Sequence, residues 1–198
     1  PPMTKTQYDV DTFQVFLRNN RNLKQRYFTQ PEIDVFNTAL LQNGINTFAI
    51  HAPYIMNLCR DDITSFERNV KIIREDLELL NHFAGNKIYV LHPGSTLDKD
   101  TISALGCIKH HLEQVSDVIG NVTIALETMS GAGTQVLQNP LEIEMLMCLC
   151  YDIPNISLCY DTCHVFASGN DIVETFERLK SYVSIIHLNG SKGIYSSK

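Results

Sequence analysis

Short apolar runs punctuate the chain, each followed by a stretch in which apolar residues recur at helical spacing. The runs are TFQVFL, NTFAIH, KIYVLH, VTIALE, ISLCYD and VSIIHL. Helices are predicted between and after them, over Gln30–Gln42 and over 63–83, 100–119, 141–150 and 171–182. In the second of these, Phe66, Val70, Ile73, Leu77 and Leu80 trace one helical face. Gly120-Asn121 reads as a helix stop and Pro140 as a first-turn proline. A glycine-rich turn, Ser130-Gly131-Ala132-Gly133, follows VTIALE. Near-continuous apolar strands are buried on both faces, as in a parallel sheet covered by helices. Repeated β/α units build either an open doubly wound sheet or a (β/α) barrel.

The polar residues that end these runs choose between the two. His51, His92, Glu127, Asp161, His164 and His187 all sit where an apolar run stops or just beyond it. In an open sheet, functional residues gather at the one crevice where strand order reverses. In a barrel every strand opens its C-terminal end on the same face. Ligand-type residues at five successive strand ends therefore predict an α/β fold of the TIM-barrel type, with about six β/α units and so incomplete.

At 198 residues the chain suits a single domain, 1–198, with a sizeable core. A hydrophobic content of 44% and a charged content of 19% exclude disordered and fibrous classes. No apolar run approaches the roughly 20 residues that span a bilayer. The N-terminal PPMTKTQYDVD lacks a signal-like apolar centre, so an intracellular protein, cytoplasmic or nuclear, is expected. The net charge of −6 and pI near 5.6 carry no global signature of nucleic-acid binding. Locally the picture differs: residues 12–31 hold no acid, while Arg18, Arg21, Lys24 and Arg26 lie close together. The six cysteines form no Cys-x-x-Cys pair and suit reduced core thiols. Cys163, between Asp161 and His164, could face a metal, although imidazole and carboxylate already supply ligands.

Imidazole and carboxylate suit zinc, and several such ions close together can activate water and stabilise both oxygens of a displacement at phosphorus. Glu127, between His92 and Asp161 in sequence, is the natural bridge, because its two oxygens can each take one ion. A lone strand-end histidine is usually structural. A carboxylate closing VTIAL, by contrast, needs a cationic partner or a neutral state. His82, His110 and His111 fall in helices or at their ends and read as surface residues or as supports for a ligand.

HAPYIMNL, LHPGS, LETMSGAGT, YDTCHVFASGNDI and HLNGSK, in that order, closely resemble the signatures of the endonuclease IV family over residues 13–192. These are zinc-dependent apurinic/apyrimidinic endonucleases built on a TIM barrel of the xylose-isomerase-like superfamily. The resemblance implies that His51, His92 and Glu127 bind a first zinc. It implies that Glu127 bridges to a second held by Asp161 and His187, and that His164 contributes to a third. It implies double-stranded DNA as partner, cut by zinc-activated water 5′ to an abasic site, with a 3′-hydroxyl and a 5′-deoxyribose phosphate as products and Glu127 at the catalytic centre. FQVFLRNNRNLKQR resembles the loop that enters DNA at the lesion, so Arg21 and Asn22 would probe the minor groove and fill the gap. Tyr54 would support the kinked backbone, and Arg18, Lys24 and Arg26 would contact phosphates.

The resemblance is incomplete. The family's first strand with its His-Val-Ser motif, the later Asp-Arg-His motif and the eighth-strand glutamate have no counterpart, and Gly190 stands where the family has Asp. The first zinc site is thus complete, the second lacks a carboxylate, and the third keeps only His164. Strands corresponding to the family's second to seventh leave two sheet edges open, where self-association is expected. Two further readings stay open: a metal-dependent sugar isomerase or epimerase on the same barrel, and a degenerate, non-catalytic DNA-binding homologue.

Overall fold

The structure, a computed structural model, describes residues 10–19 and 23–191. Arg21 and Asn22 therefore lie outside the described residues. The elements run β1 (Gln14–Val15), α1 (Gln30–Gln42), β2 (Thr47–His51), α2 (Ile63–Leu80), β3 (Asn86–Leu91) and α3 (Thr101–Glu113). They continue with β4 (Val122–Glu127), α4 (Pro140–Leu149), β5 (Ile156–Asp161), α5 (Thr162–Ala167), α6 (Ile172–Leu179) and β6 (Val183–His187). The strands form one parallel sheet in sequential order, β1 to β6. Strand order never reverses among the described residues, so there is no topological switch point in this sheet and all its strand ends open on one face. The architecture is an open, incomplete (β/α) barrel, as the strand-end pattern predicts. No helix among the described residues is long and apolar enough to cross a membrane.

Local chemistry sets the helix starts. Asp62 accepts from the Ser65 amide at 3.0 Å, Asp100 from Ser103 at 2.9 Å, Asn139 from Glu142 at 3.1 Å and Asp171 from Glu174 at 2.8 Å. Each satisfies one of the amides that a helix N-terminus leaves unpaired. Helix ends fall short of the sequence expectation. α2 stops at Leu80 rather than 83, and α3 at Glu113, with a separate 3-10 turn over Ser116–Val118. TFQVFL yields only two ladder residues, because among the described residues β1 is an edge strand paired with β2 alone. α5 is not legible in the hydrophobic pattern. It starts at Asp161, whose carboxylate accepts from the His164 amide at 2.9 Å.

The main core lies between the convex sheet face and the helices, where Ile50, Tyr89, Ile124 and Leu126 meet Leu77, Leu105, Ile108 and Leu146. A smaller cluster, Ala49, Val90, Ala125 and Cys159, lines the concave face. Asn57 ties the loops after β2 and β3 together. Its amide donates to the Ser95 carbonyl at 3.0 Å, and its oxygen accepts from the Ser95 and Cys59 amides at 3.1 and 3.0 Å. Gly94, at φ +110°, allows this approach, since a Cβ there would lie 2.1 Å from Asn57 Oδ1 and 2.9 Å from its Cα.

Two glycine substitutions should therefore act in opposite directions in urea unfolding. Gly94→Ala is expected to destabilise by at least about 1–3 kcal/mol, from backbone strain at positive φ plus the clash with Asn57. Gly106→Ala, inside α3 with nothing within 4 Å of the added methyl, is expected to stabilise by about 0.5–1 kcal/mol. Equal effects at the two positions would contradict this account of the loops.

Candidate metal centre

Alternation along the strands builds the site. One pleat below each of the five candidate ligands at a strand end sits an apolar residue: Ala49 under His51, Val90 under His92, Ala125 under Glu127, Cys159 under Asp161 and Ile185 under His187. The small side chains leave room for a polar layer above them. β6 reaches this register through a bulge. Leu158 pairs with Val183, but Cys159 pairs with Ile185 and Asp161 with His187. Unbroken pairing would have put Ile186 opposite Asp161, because a one-residue slip turns every side chain to the other face.

Glu127 stands at the centre, with 2% of its side chain exposed. His51 Nε2 and His92 Nε2 approach Oε2 at 3.2 and 3.3 Å. His164 Nδ1 and His187 Nδ1 approach Oε1 at 3.1 and 3.5 Å. Each carboxylate oxygen thus faces its own pair of imidazoles. Asp161 Oδ2 lies 3.7 Å from His187 Nδ1 and 3.9 Å from His164 Nδ1. All six residues line one cleft of about 500 Å³, together with Gln14, Tyr54 and Asn189.

The charges are strongly coupled. Burial opposes ionisation of Glu127, but hydrogen bonds from His164, His187, His51 and His92 outweigh it and hold the carboxyl well below its ordinary range. Burial likewise raises Asp161, and the His187 hydrogen bond with the His164 amide brings it below normal. Bonds to Asp161, Cys159 and Glu127 push His187 up to about 12. His164 is raised too: its burial works against the charged ring, and the bond to Glu127 prevails.

Neighbouring groups fix the orientation of the ligand atoms. His51 Nδ1 donates to the Ala52 carbonyl at 2.7 Å, which turns Nε2 to Glu127. Gln14 Oε1 meets His187 Nε2 at 3.0 Å across the open side of the barrel, leaving Nδ1 for the carboxylates. The Asp161 amide donates to the Thr128 hydroxyl at 2.9 Å, and the Asn189 amide donates to Asp161 Oδ2. The sequence reading missed Gln14, Thr128 and Asn189. Their signal was slight: a polar residue inside TFQVFL, and polar residues one or two places beyond Glu127 and His187.

Among the described residues, three overlapping triads hold ligand atoms within 4.8 Å of one another: His51/His92/Glu127, Glu127/Asp161/His164 and Glu127/Cys159/His187. Buried nitrogen and oxygen donors at such spacing fit divalent cations of the zinc type. It is Cys159, not Cys163, whose thiol stands in such a triad. Burial pushes that thiol up to about 11.

Other sequence-selected residues separate. Tyr54 stands at the mouth of the cleft, its ring 4.6 Å from that of His51 and 5.5 Å from that of Phe16. His82 and His110 are exposed, but His111 is fully buried in α3 against Phe66, which corrects its surface reading. Burial lowers its pKa. Arg18 is also corrected: at 7% exposure it points into the protein, paired with Asp76 and Glu75, and not towards solvent.

A family profile described as xylose isomerase-like TIM barrel matches residues 6–197. The probable endonuclease 4 of Akkermansia muciniphila is 31% identical over 197 residues, covering 95% of this chain and 71% of its own length. That of Finegoldia magna is 34% identical over 195 residues, covering 92% of this chain and 68% of its own length. The crystal structure of endonuclease IV from Thermus thermophilus superposes with a TM-score of 0.82 at 23% identity, over 98% of this chain and 72% of that one. Profile, identity and coverage agree, and the chain belongs to the endonuclease IV family of xylose isomerase-like TIM barrels.

Proposed function

We propose that this chain is an intracellular zinc-dependent endonuclease. It cuts duplex DNA 5′ to an abasic site and leaves a 3′-hydroxyl and a 5′-deoxyribose phosphate. The observation that carries the reading is the division of Glu127 between two imidazole pairs at the open end of a barrel of this family. His51, His92 and Glu127 would hold one ion, and Glu127, Asp161 and His187 a second. His164, grouped with Glu127 and Asp161, would border the second position and contribute to a third. Bound ions of this kind lower the pKa of water and offset negative charge on phosphoryl oxygens.

The chain's own groups do the rest. Glu127 stays ionised because four imidazoles surround it, so it can serve two donor sets at once. Burial and the charge of Glu127 raise the Tyr54 phenol, so it keeps its proton and can donate to a phosphate oxygen at the mouth. The Phe16–Tyr54 edge offers an apolar surface to a deoxyribose. By the resemblance Arg21 and Asn22 would probe the minor groove and Lys24 and Arg26 would contact phosphates, which would make binding salt-sensitive. Inserting side chains costs least stacking where a base is already missing, so selection follows damage and not sequence.

Zinc-loaded protein is expected to incise a duplex carrying one abasic site and to lose that activity with chelator. Glu127→Gln should slow incision roughly 100- to 1000-fold, the scale of removing one fixed electrostatic contributor. Abasic binding without a cut at high enzyme would favour the non-catalytic reading, and turnover of a keto sugar without incision would favour the epimerase reading.

Zinc binding near pH 7 should release protons. His187 is held protonated up to about 12, while a ligating imidazole must be neutral. Glu127 and Asp161 are lowered, so they are already ionised and release none. Calorimetry in buffers of different ionisation enthalpy should find about one proton or more released per chain, and affinity should fall as pH falls. Zero release would show that His187 is already neutral before the ion binds, or that it is not a ligand.

A further inference from the structure

We propose that Arg18 is a positioning residue: with Asp76 and Tyr89 it clamps together the segments on either side of residues 20–22 so that this stretch meets DNA in one register. The inference rests on the reading that this chain binds abasic DNA. Arg18 lies in the acid-free basic stretch, where it reads, with Lys24 and Arg26, as a phosphate contact. Its guanidinium is engaged elsewhere. Nε donates to Asp76 Oδ1 at 2.8 Å, Nη2 to Glu75 Oε2 at 2.7 Å and the Ile72 carbonyl at 3.3 Å, and Nη1 to the Leu23 carbonyl at 3.1 Å. These contacts use most of the N–H groups of the fork and bury it.

Both flanks of this stretch meet the same carboxylate. Arg18 bridges antiparallel to Gln25, whose amide donates to Asp76 Oδ1 at 3.2 Å and to the Glu75 carbonyl at 3.4 Å. Tyr89 in β3 takes the other oxygen, donating to Asp76 Oδ2 at 2.8 Å. These flanks are thereby tied through α2 to the strand that leads to His92. Leu23, at φ +59°, adopts a backbone conformation that a leucine rarely takes, and it is held by its amide bond to the Asn19 carbonyl at 2.9 Å and by Arg18. A buried ion pair is weak evidence for stability. Holding the two flanks together gives this one a use.

The test measures binding of the zinc-loaded protein to a duplex with one tetrahydrofuran abasic analogue and to the intact duplex, over a range of salt. Arg18→Met is expected to lower the preference for the abasic duplex on the order of tenfold or more, as a small misplacement of binding groups does. The slope of log affinity against log salt on the intact duplex should stay unchanged. A slope smaller by about 0.9, the share of one phosphate contact, would overturn the proposal. So would an unchanged preference. Tyr89→Phe removes one hydrogen bond at a fully buried position and should lower the preference in the same direction; it carries the test if Arg18→Met does not fold. No preference in the wild type would sink the proposed function instead. The clamp would then be decided by amide exchange at Leu23 and Arg26, where unchanged protection in Arg18→Met overturns it.

Discussion

Glu127 brings a negative charge to a position where 2% of its side chain meets solvent, at the end of a strand otherwise built from apolar residues. An isolated carboxylate there would cost several kcal/mol or would take up a proton. Neither happens, because imidazoles from four other segments converge on it. The same convergence raises His187 and His164, which also face Asp161. Groups such as the Ala52 carbonyl and Gln14 fix which ring nitrogen faces inwards.

That convergence needs the sheet. Sequential parallel pairing points every strand end the same way, and curling brings the ends together, so residues from Gln14 to His187 share one cleft. The small layer of Ala49, Ala125 and Cys159 matters as much as the ligands do. Bulkier residues there would crowd the polar layer above. The outer face carries the stability and the inner face the chemistry, as strand alternation permits. Gly94 and Asn57 show how closely the two jobs are joined, since the loops that present His51 and His92 are held by one amide side chain.

Much of this was legible in the sequence because burial and chemistry both leave short-range marks. Apolar runs mark strands, and a polar residue closing such a run marks the C-terminal face. What stayed hidden depends on relations between distant segments. The bulge at Ser184 decides that His187, not Ile186, lies opposite Asp161, and nothing in VSIIHL distinguishes the two registers. α5 owes its start to the Asp161 cap and not to a hydrophobic stripe. His111 is buried by Phe66, which the α2 sequence supplies from more than forty residues away.

Charge is the property that sequence distance misrepresents most. The stretch around Arg18 reads as a uniform basic loop, yet its first cation is neutralised by Glu75 and Asp76 on a helix far along the chain. Asp76 is among the most buried polar residues. The two charges meet inside the protein. The basic character offered to a partner then begins beyond Arg18. Under the proposed function, mobile positive charge alone would hold any DNA, and holding the flanks of residues 20–22 together would turn attraction into discrimination.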